Sequence, residues 1–245
     1  MERKVLGVLG GLGPQATVYF SDMVVGYTKA GSDQEHIPMI ILNDTEIPDR
    51  TAFILGESDE SPLPKMVEDA KFLEASGCSM IVIPCNTAHY FYDEIEKNVS
   101  IPIINIIDET VKHCIESKPG LKNIGLLATE GTVKSGAYKR YTDKYGLGLM
   151  IPDEEDEKSL MNIIYNQVKA GKTADILEFS GIVSNLKRQG ADIIVLGCTE
   201  LSIINREFGL TKRDREIKDS MEILVMKSIQ QCGKKVNICA DSQDL

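Results

Sequence analysis

Cys85 and Cys198 stand at matching places in a chain that repeats itself. Cys85 lies in Ser79-Met80-Ile81-Val82-Ile83-Pro84-Cys85-Asn86-Thr87-Ala88-His89, and Cys198 in Asp192-Ile193-Ile194-Val195-Leu196-Gly197-Cys198-Thr199-Glu200-Leu201. Each follows an apolar, β-branched run of the kind that forms a buried parallel strand, and each precedes a hydroxyl residue and a helix start. A free cysteine is ordinarily a small core residue, and Cys78, Cys114, Cys232 and Cys239 read that way. At a strand-to-helix junction, unpaired first-turn amides and the helix dipole instead favour a reactive thiolate. Six cysteines without a Cys-x-x-Cys pair argue against a disulfide scaffold, a zinc ribbon and a thioredoxin-type redox centre. Cys85 and His89 have the spacing of a metal pair, but no second pair accompanies them, so no metal site is expected. His89 is left to support its helix or tune the thiol.

The elements that must hold these thiols are themselves duplicated. Lys4-Val5-Leu6-Gly7-Val8-Leu9-Gly10-Gly11 resembles Asn123-Ile124-Gly125-Leu126-Leu127-Ala128-Thr129-Glu130, and Ile106-Ile107-Asp108-Glu109 resembles Ile217-Lys218-Asp219-Ser220. With the two cysteine segments, these matches recur at separations of about 111 to 118 residues, as two copies of one unit with small insertions would give. Strand-like runs alternate with helical periodicity, so the expected class is α/β: two pseudo-symmetric lobes, each a mostly parallel sheet flanked by helices. Strands are expected over about 4–9, 38–43, 79–84, 101–105, 122–128, 147–151 and 191–197. Helices are expected over about 15–30, 62–76, 87–98, 107–117, 132–145, 156–170, 173–189 and 219–231. The first lobe takes about residues 1–105 and 215–245 and the second about 106–214, with no low-complexity linker between them. Open α/β sheets bind ligands at the carboxyl ends of their strands, so two lobes related by an approximate two-fold axis would point the thiols into one cleft from opposite sides.

Other residues near those strand ends carry charge. Ile47-Pro48-Asp49-Arg50-Thr51 reads as a loop after the second strand, where the Arg50 guanidinium could clamp a carboxylate through two parallel hydrogen bonds. Lys169 reads as a plain cation near a helix C-terminus. Gly10-Gly11-Leu12-Gly13-Pro14-Gln15-Ala16 contains a Gly-x-Gly-x-x-Ala, but Pro14 removes an amide and no acidic residue closes the second strand. A tight turn lining the cleft, with Pro14 opening the helix, fits better than a dinucleotide site. The acidic run Asp153-Glu154-Glu155-Asp156-Glu157 suits a helix start.

Composition limits the partners. At 245 residues, the chain can bury roughly 70 to 75% of its unfolded surface, enough for two small lobes. A net charge of −10 with no basic stretch argues against a nucleic-acid surface, and an anionic ligand would need local cations. Apolar runs fall short of the ~18 residues of a membrane span, and Met1-Glu2-Arg3-Lys4 leads into the first strand without an apolar leader, so a cytoplasmic protein is expected.

Taken in order, Gly10-Gly11-Leu12-Gly13-Pro14-Gln15-Ala16-Thr17, Ile47-Pro48-Asp49-Arg50, Pro84-Cys85-Asn86-Thr87-Ala88-His89, Leu127-Ala128-Thr129-Glu130-Gly131-Thr132 and Gly197-Cys198-Thr199-Glu200 resemble the cofactor-independent aspartate/glutamate racemases. The matches span nearly the whole chain, and the paired cysteine motifs are the specific part. The resemblance implies two catalytic bases, Cys85 and Cys198, in a homodimeric enzyme that uses no cofactor or metal. It also implies that Arg50 and Lys169 bind substrate carboxylates, while Leu12, Asn86, Thr87, Thr129, Thr199 and Glu200 belong to the substrate pocket. Leu12 stands where the family often has methionine. Racemisation suits two thiols physically, because a proton leaves one face of Cα and another returns to the opposite face. The charge that develops on the carboxylate then needs fixed donors and cations. Related hydantoin or arylmalonate enzymes, a ligand-binding protein without turnover and a thiol-redox protein stay open as alternatives.

Overall fold

The structure is a computed structural model and describes residues 4–237. Cys239 and the last part of the expected first lobe lie outside the described residues. The first half of the chain runs β1 (Leu6–Gly10), α1 (Pro14–Tyr27), β2 (Met39–Asn43), α2 (Arg50–Leu55), α3 (Leu63–Ala75), β3 (Met80–Val82), α4 (Tyr92–Glu96), β4 (Ile103–Ile104) and α5 (Ile106–Ser117). The second half runs β5 (Asn123–Leu127), α6 (Glu130–Lys134), α7 (Ala137–Lys144), β6 (Gly148–Met150), α8 (Glu154–Asn162), a π-turn (Ile163–Val168), α9 (Ile176–Gln189), β7 (Ile193–Leu196), α10 (Thr199–Phe208), α11 (Leu210–Arg213), β8 (Ile217–Asp219) and α12 (Ser220–Gln231).

The strands form two four-stranded sheets in the orders β2-β1-β3-β4 and β6-β5-β7-β8, every pairing parallel. The same order in both sheets is the architectural form of the repeat. The strands alternate their side chains between two cores, as the two-residue period of a strand requires. Leu6, Val8, Val82, Ile124, Leu126, Ile193 and Val195 point into a shared core with α1, α5 and α12. Leu9, Ile81 and Ile83 face α3 on the far side of the first sheet, while Leu127, Ile194 and Leu196 face α9 and α10 beyond the second. Both faces of each sheet are therefore covered, which explains why the strands read as continuous apolar runs.

Several expected boundaries shift. β8 pairs with β7 and so belongs to the second sheet. Its residues, Ile217-Lys218-Asp219, include a single apolar side chain, so no apolar run marks it. Arg50 opens α2 and does not sit in an open loop, because Asp49 caps that helix by accepting the Ala52 N–H at 2.8 Å. The expected helix over 132–145 breaks into α6 and α7 at Gly136, whose φ is +69°. The segment after Cys85 makes a 3₁₀ turn, Thr87–Phe91, before α4 begins. The repeat also aligns differently at its ends. Asn105 caps α5 and Asp219 caps α12, so the counterpart of Asp219 is Asn105, three residues before the Asp108 that the sequence pairs with it.

Candidate active site

Junctions between strands and helices from both sheets meet in one cavity. It is lined by Leu12, Asp49, Arg50, Thr51, Cys85, Asn86, Thr87, Thr129, Tyr165, Lys169, Cys198, Thr199 and Glu200. Every site residue named from the sequence is among them. The free space between their side chains is ≈ 20 Å³, room for about one water molecule.

The thiols arrive on equivalent supports, Cys85 after β3 and Cys198 after β7, and each is 6% exposed. Cys198 is the N-cap residue of α10, so it sits beside the unpaired amides of that helix's first turn. Cys85 is fixed from behind by His89. The Ile106 N–H donates to His89 Nε2 at 3.2 Å, which leaves the proton on Nδ1, and Nδ1 donates to the Cys85 carbonyl at 2.9 Å. Burial holds the imidazole neutral, with its pKa lowered to about 4. Both ring nitrogens are thus occupied by backbone groups. The other described cysteines, Cys78, Cys114 and Cys232, do not line the cavity. Burial pushes the Cys114 thiol up to about 12 and raises Cys78 and Cys232, and all three pack in or against the apolar cores.

Arg50 is held by three carbonyls: Nη2 donates to Leu12 at 2.7 Å, and Nη1 donates to Pro48 at 3.1 Å and Ile47 at 3.4 Å. Its Nε is buried without a hydrogen-bond partner among the described residues. That N–H is left as an unused charge-assisted donor. The Leu12 carbonyl is in turn placed by the glycine turn. The Gly11 N–H donates to Thr17 Oγ1 at 2.9 Å, and Gly11, at φ +92°, passes so close to Asp44 that a Cβ there would lie 1.8 Å from the Asp44 carbonyl oxygen. Only glycine fits.

The second cation, Lys169, follows the π-turn and lines the cavity, unlike the plain helix-end cation that the sequence suggests. The turn brings Tyr165 beside it, with the ammonium 4.3 Å from the ring centre and 4.0 Å from Glu200 Oε1. Burial opposes the ammonium, but Glu200, Tyr165 and Cys198 outweigh it and raise the Lys169 pKa.

Neutral groups join the two halves of the site. Thr87, Thr129 and Thr132 form a closed ring of hydroxyls at 2.7 to 3.1 Å. The Asn86 amide donates to Ser220 at 3.0 Å and accepts from Tyr138 at 2.8 Å. Asp49, Thr51 and Tyr165 are the lining residues that the sequence did not single out. Tyr165 and Lys169 share the i, i+4 spacing of one helix face, which is the signal that could have linked them.

Among the described residues, no helix is long and apolar enough to cross a membrane, and no group of three or more His, Cys, Asp or Glu could hold a metal ion. Residues 9–227 match the model of the Asp/Glu/Hydantoin racemase family. The structure is similar to that of an aspartate racemase from Picrophilus torridus, with a TM-score of 0.79, 31% identity and coverage of 99% of this chain and 100% of that one. In sequence the chain is 28% identical over 208 residues to the broad specificity amino-acid racemase RacX of Bacillus subtilis, covering 82% of this chain and 87% of the relative. It is 29% identical over 204 residues to a glutamate racemase of Corynebacterium diphtheriae, covering 78% and 72%.

Proposed function

Since this chain belongs to the Asp/Glu/Hydantoin racemase family and is an amino-acid racemase, we propose that it inverts an acidic amino acid, aspartate first and glutamate second, by a two-base reaction between Cys85 and Cys198. The observation that carries the proposal is the convergence of two thiols from equivalent strand ends of the two sheets on one cavity that also holds Arg50 and Lys169. Two cations in a chain of net charge −10 suit a substrate with two carboxylates. The likeness to an aspartate racemase favours aspartate.

In this reading one cysteine, as thiolate, removes the Cα proton, and the other, as thiol, protonates the opposite face. The two thiols account for both proton transfers, so the reaction as written calls for no further group. Negative charge developing on the α-carboxylate is met by fixed donors: the guanidinium edge of Arg50, the Lys169 ammonium and the first-turn amides beyond the cysteines. Asn86 and the Thr87–Thr129–Thr132 hydroxyls hold the two supports in register while the proton moves. Assembly as a homodimer in the cytoplasm belongs to the same proposal, supported by the family resemblance for the assembly and by the sequence for the location.

Cys85→Ala and Cys198→Ala test the mechanism. Each should slow the interconversion of L- and D-aspartate by ~10²- to 10⁴-fold, and the double variant should be little worse than either single one, because the thiols act as a unit. A folded single variant that keeps substantial racemisation would exclude the two-thiol reading.

A further inference from the structure

The two thiols sit in matching places but keep different company. Cys198 Sγ donates to Glu200 Oε2 at 2.9 Å, and the Thr199 hydroxyl lies 3.5 Å from the same oxygen. The other oxygen, Oε1, faces Lys169 at 4.0 Å, and a Cβ added to Gly13 would come within 3.4 Å of it. Glu200 is therefore enclosed by α10, by the residue after the π-turn and by the glycine turn beside β1, and it is only 7% exposed. The Cys85 thiol has no such partner among the described residues: the interactions of that residue run through its backbone N–H and carbonyl.

The geometry points to Glu200 as the group that sets the protonation of Cys198, holding it as the resting thiol donor and leaving Cys85 to act as the resting base. This assignment rests on the two-thiol reading above. Glu200 acts through Cys198 and is a positioning residue. In the step that follows, the Cys85 thiolate takes the Cα proton while the Cys198 S–H bond breaks and its proton passes to the opposite face. The new Cys198 thiolate lies against a carboxylate, an arrangement of like charges that disfavours it. A proton drawn from water by Glu200 then passes to the sulfur, Cys85 returns its proton to water, and the site is restored with no net change in protons. The charged and titratable groups around Cys198 act in two directions. Burial first and Glu200 second raise its pKa well above the ordinary value, and Lys169 works the other way. Tyr165, Asp49, Arg50 and Cys85 are the other titratable groups of the lining.

The test needs no substrate. The native chain is alkylated with iodoacetamide across a pH series, and peptide mass spectrometry gives the rate at each cysteine. The pH midpoint of each thiol's profile cancels differences in access. In the native protein the Cys198 midpoint should lie above that of Cys85. Glu200→Gln should lower the Cys198 midpoint by about one pH unit or more, a tenfold change in the equilibrium, while the Cys85 midpoint stays in place. Lys169→Met should move the Cys198 midpoint upward, an opposite shift that general loosening of the site would not produce. Glu200→Ala carries the same expectation as the Gln variant where that variant does not fold. A Cys198 midpoint at or below that of Cys85, or one unmoved by loss of the carboxylate, would overturn the assignment. Because the profile is measured without turnover, a chain that shows these shifts yet fails to racemise aspartate would disprove the proposed reaction and leave the Cys198–Glu200 pair standing.

Discussion

Arg50 shows how a single residue acquires a task from its surroundings. A guanidinium at 9% exposure needs compensation, and the carbonyls of Leu12, Ile47 and Pro48 supply it without neutralising the charge. The fork is thereby aimed, and its planar shape matters as much as its charge. Arg50→Lys should keep the fold yet lower kcat/KM for aspartate by about 10- to 100-fold, the size of a lost charge-assisted hydrogen bond pair. Steady-state kinetics beside a thermal melt would check this, and near-normal kinetics would make Arg50 a structural cation only. Cys85, Cys198 and Arg50 were legible in the sequence because each follows a recognisable strand closely enough to be placed at its carboxyl end. Lys169 was legible only through the family resemblance, since a cation near a helix end is commonplace. Asp49, Thr51 and Tyr165 stayed hidden because a helix cap, a first-turn threonine and a helix tyrosine are each ordinary in their local setting.

Among the secondary-structure elements, the Cys85 turn is tied to the start of α5 by His89, and the neutrality of that ring gives the fold an acid limit. Its folded pKa of about 4 lies below the ordinary value of 6.5. The unfolded chain therefore binds the proton more readily between these values. The contribution of the neutral ring is fully present above about pH 6.5 and is lost progressively as the pH falls toward 4, to a total of roughly 3 kcal/mol. His89→Phe should remove much of this acid sensitivity while lowering stability at neutral pH by about 1 to 3 kcal/mol, because the Ile106 N–H is left unpaired. Denaturant melts at about pH 5 and 7.5, on either side of the ordinary histidine pKa, would show it: a variant as acid-sensitive as the native protein would place the proton elsewhere. Long apolar strands such as β1, β5 and β7 were readable from their runs. β8 and α2 were not: Ile217-Lys218-Asp219 lacks an apolar run and depends on pairing with β7, and the six-residue α2 is too short for periodicity and depends on the Asp49 cap.

For the whole molecule, the repeat explains both the fold and the site. Identical strand orders place one cysteine beyond the end of the equivalent strand in each sheet, β3 and β7, and the two sheets share a core through α1, α5 and α12. That common core was not foreseeable from two separately read lobes. The halves also meet closely between α2 and α6, where a Cβ on Gly131 would sit 2.7 Å from Thr51 Oγ1 and 2.9 Å from Thr51 Cα. Backbone must move to admit it. Gly131→Ala should therefore separate the supports of the two thiols and slow racemisation by about 10- to 100-fold, as misplacement by up to an ångström does, at a stability cost of about 1 to 3 kcal/mol. Comparing activity with the melting curve would separate the two effects, and an unchanged rate would show that the lobes need not meet so closely. Proton removal and return by different thiols is tested most directly by supplying L-aspartate in heavy water to the dialysed protein with nothing added. D-aspartate should be labelled at Cα from the first turnovers while the remaining L-aspartate stays largely unlabelled. D-aspartate that keeps the original hydrogen, or an absence of racemisation, would contradict the two-thiol reaction.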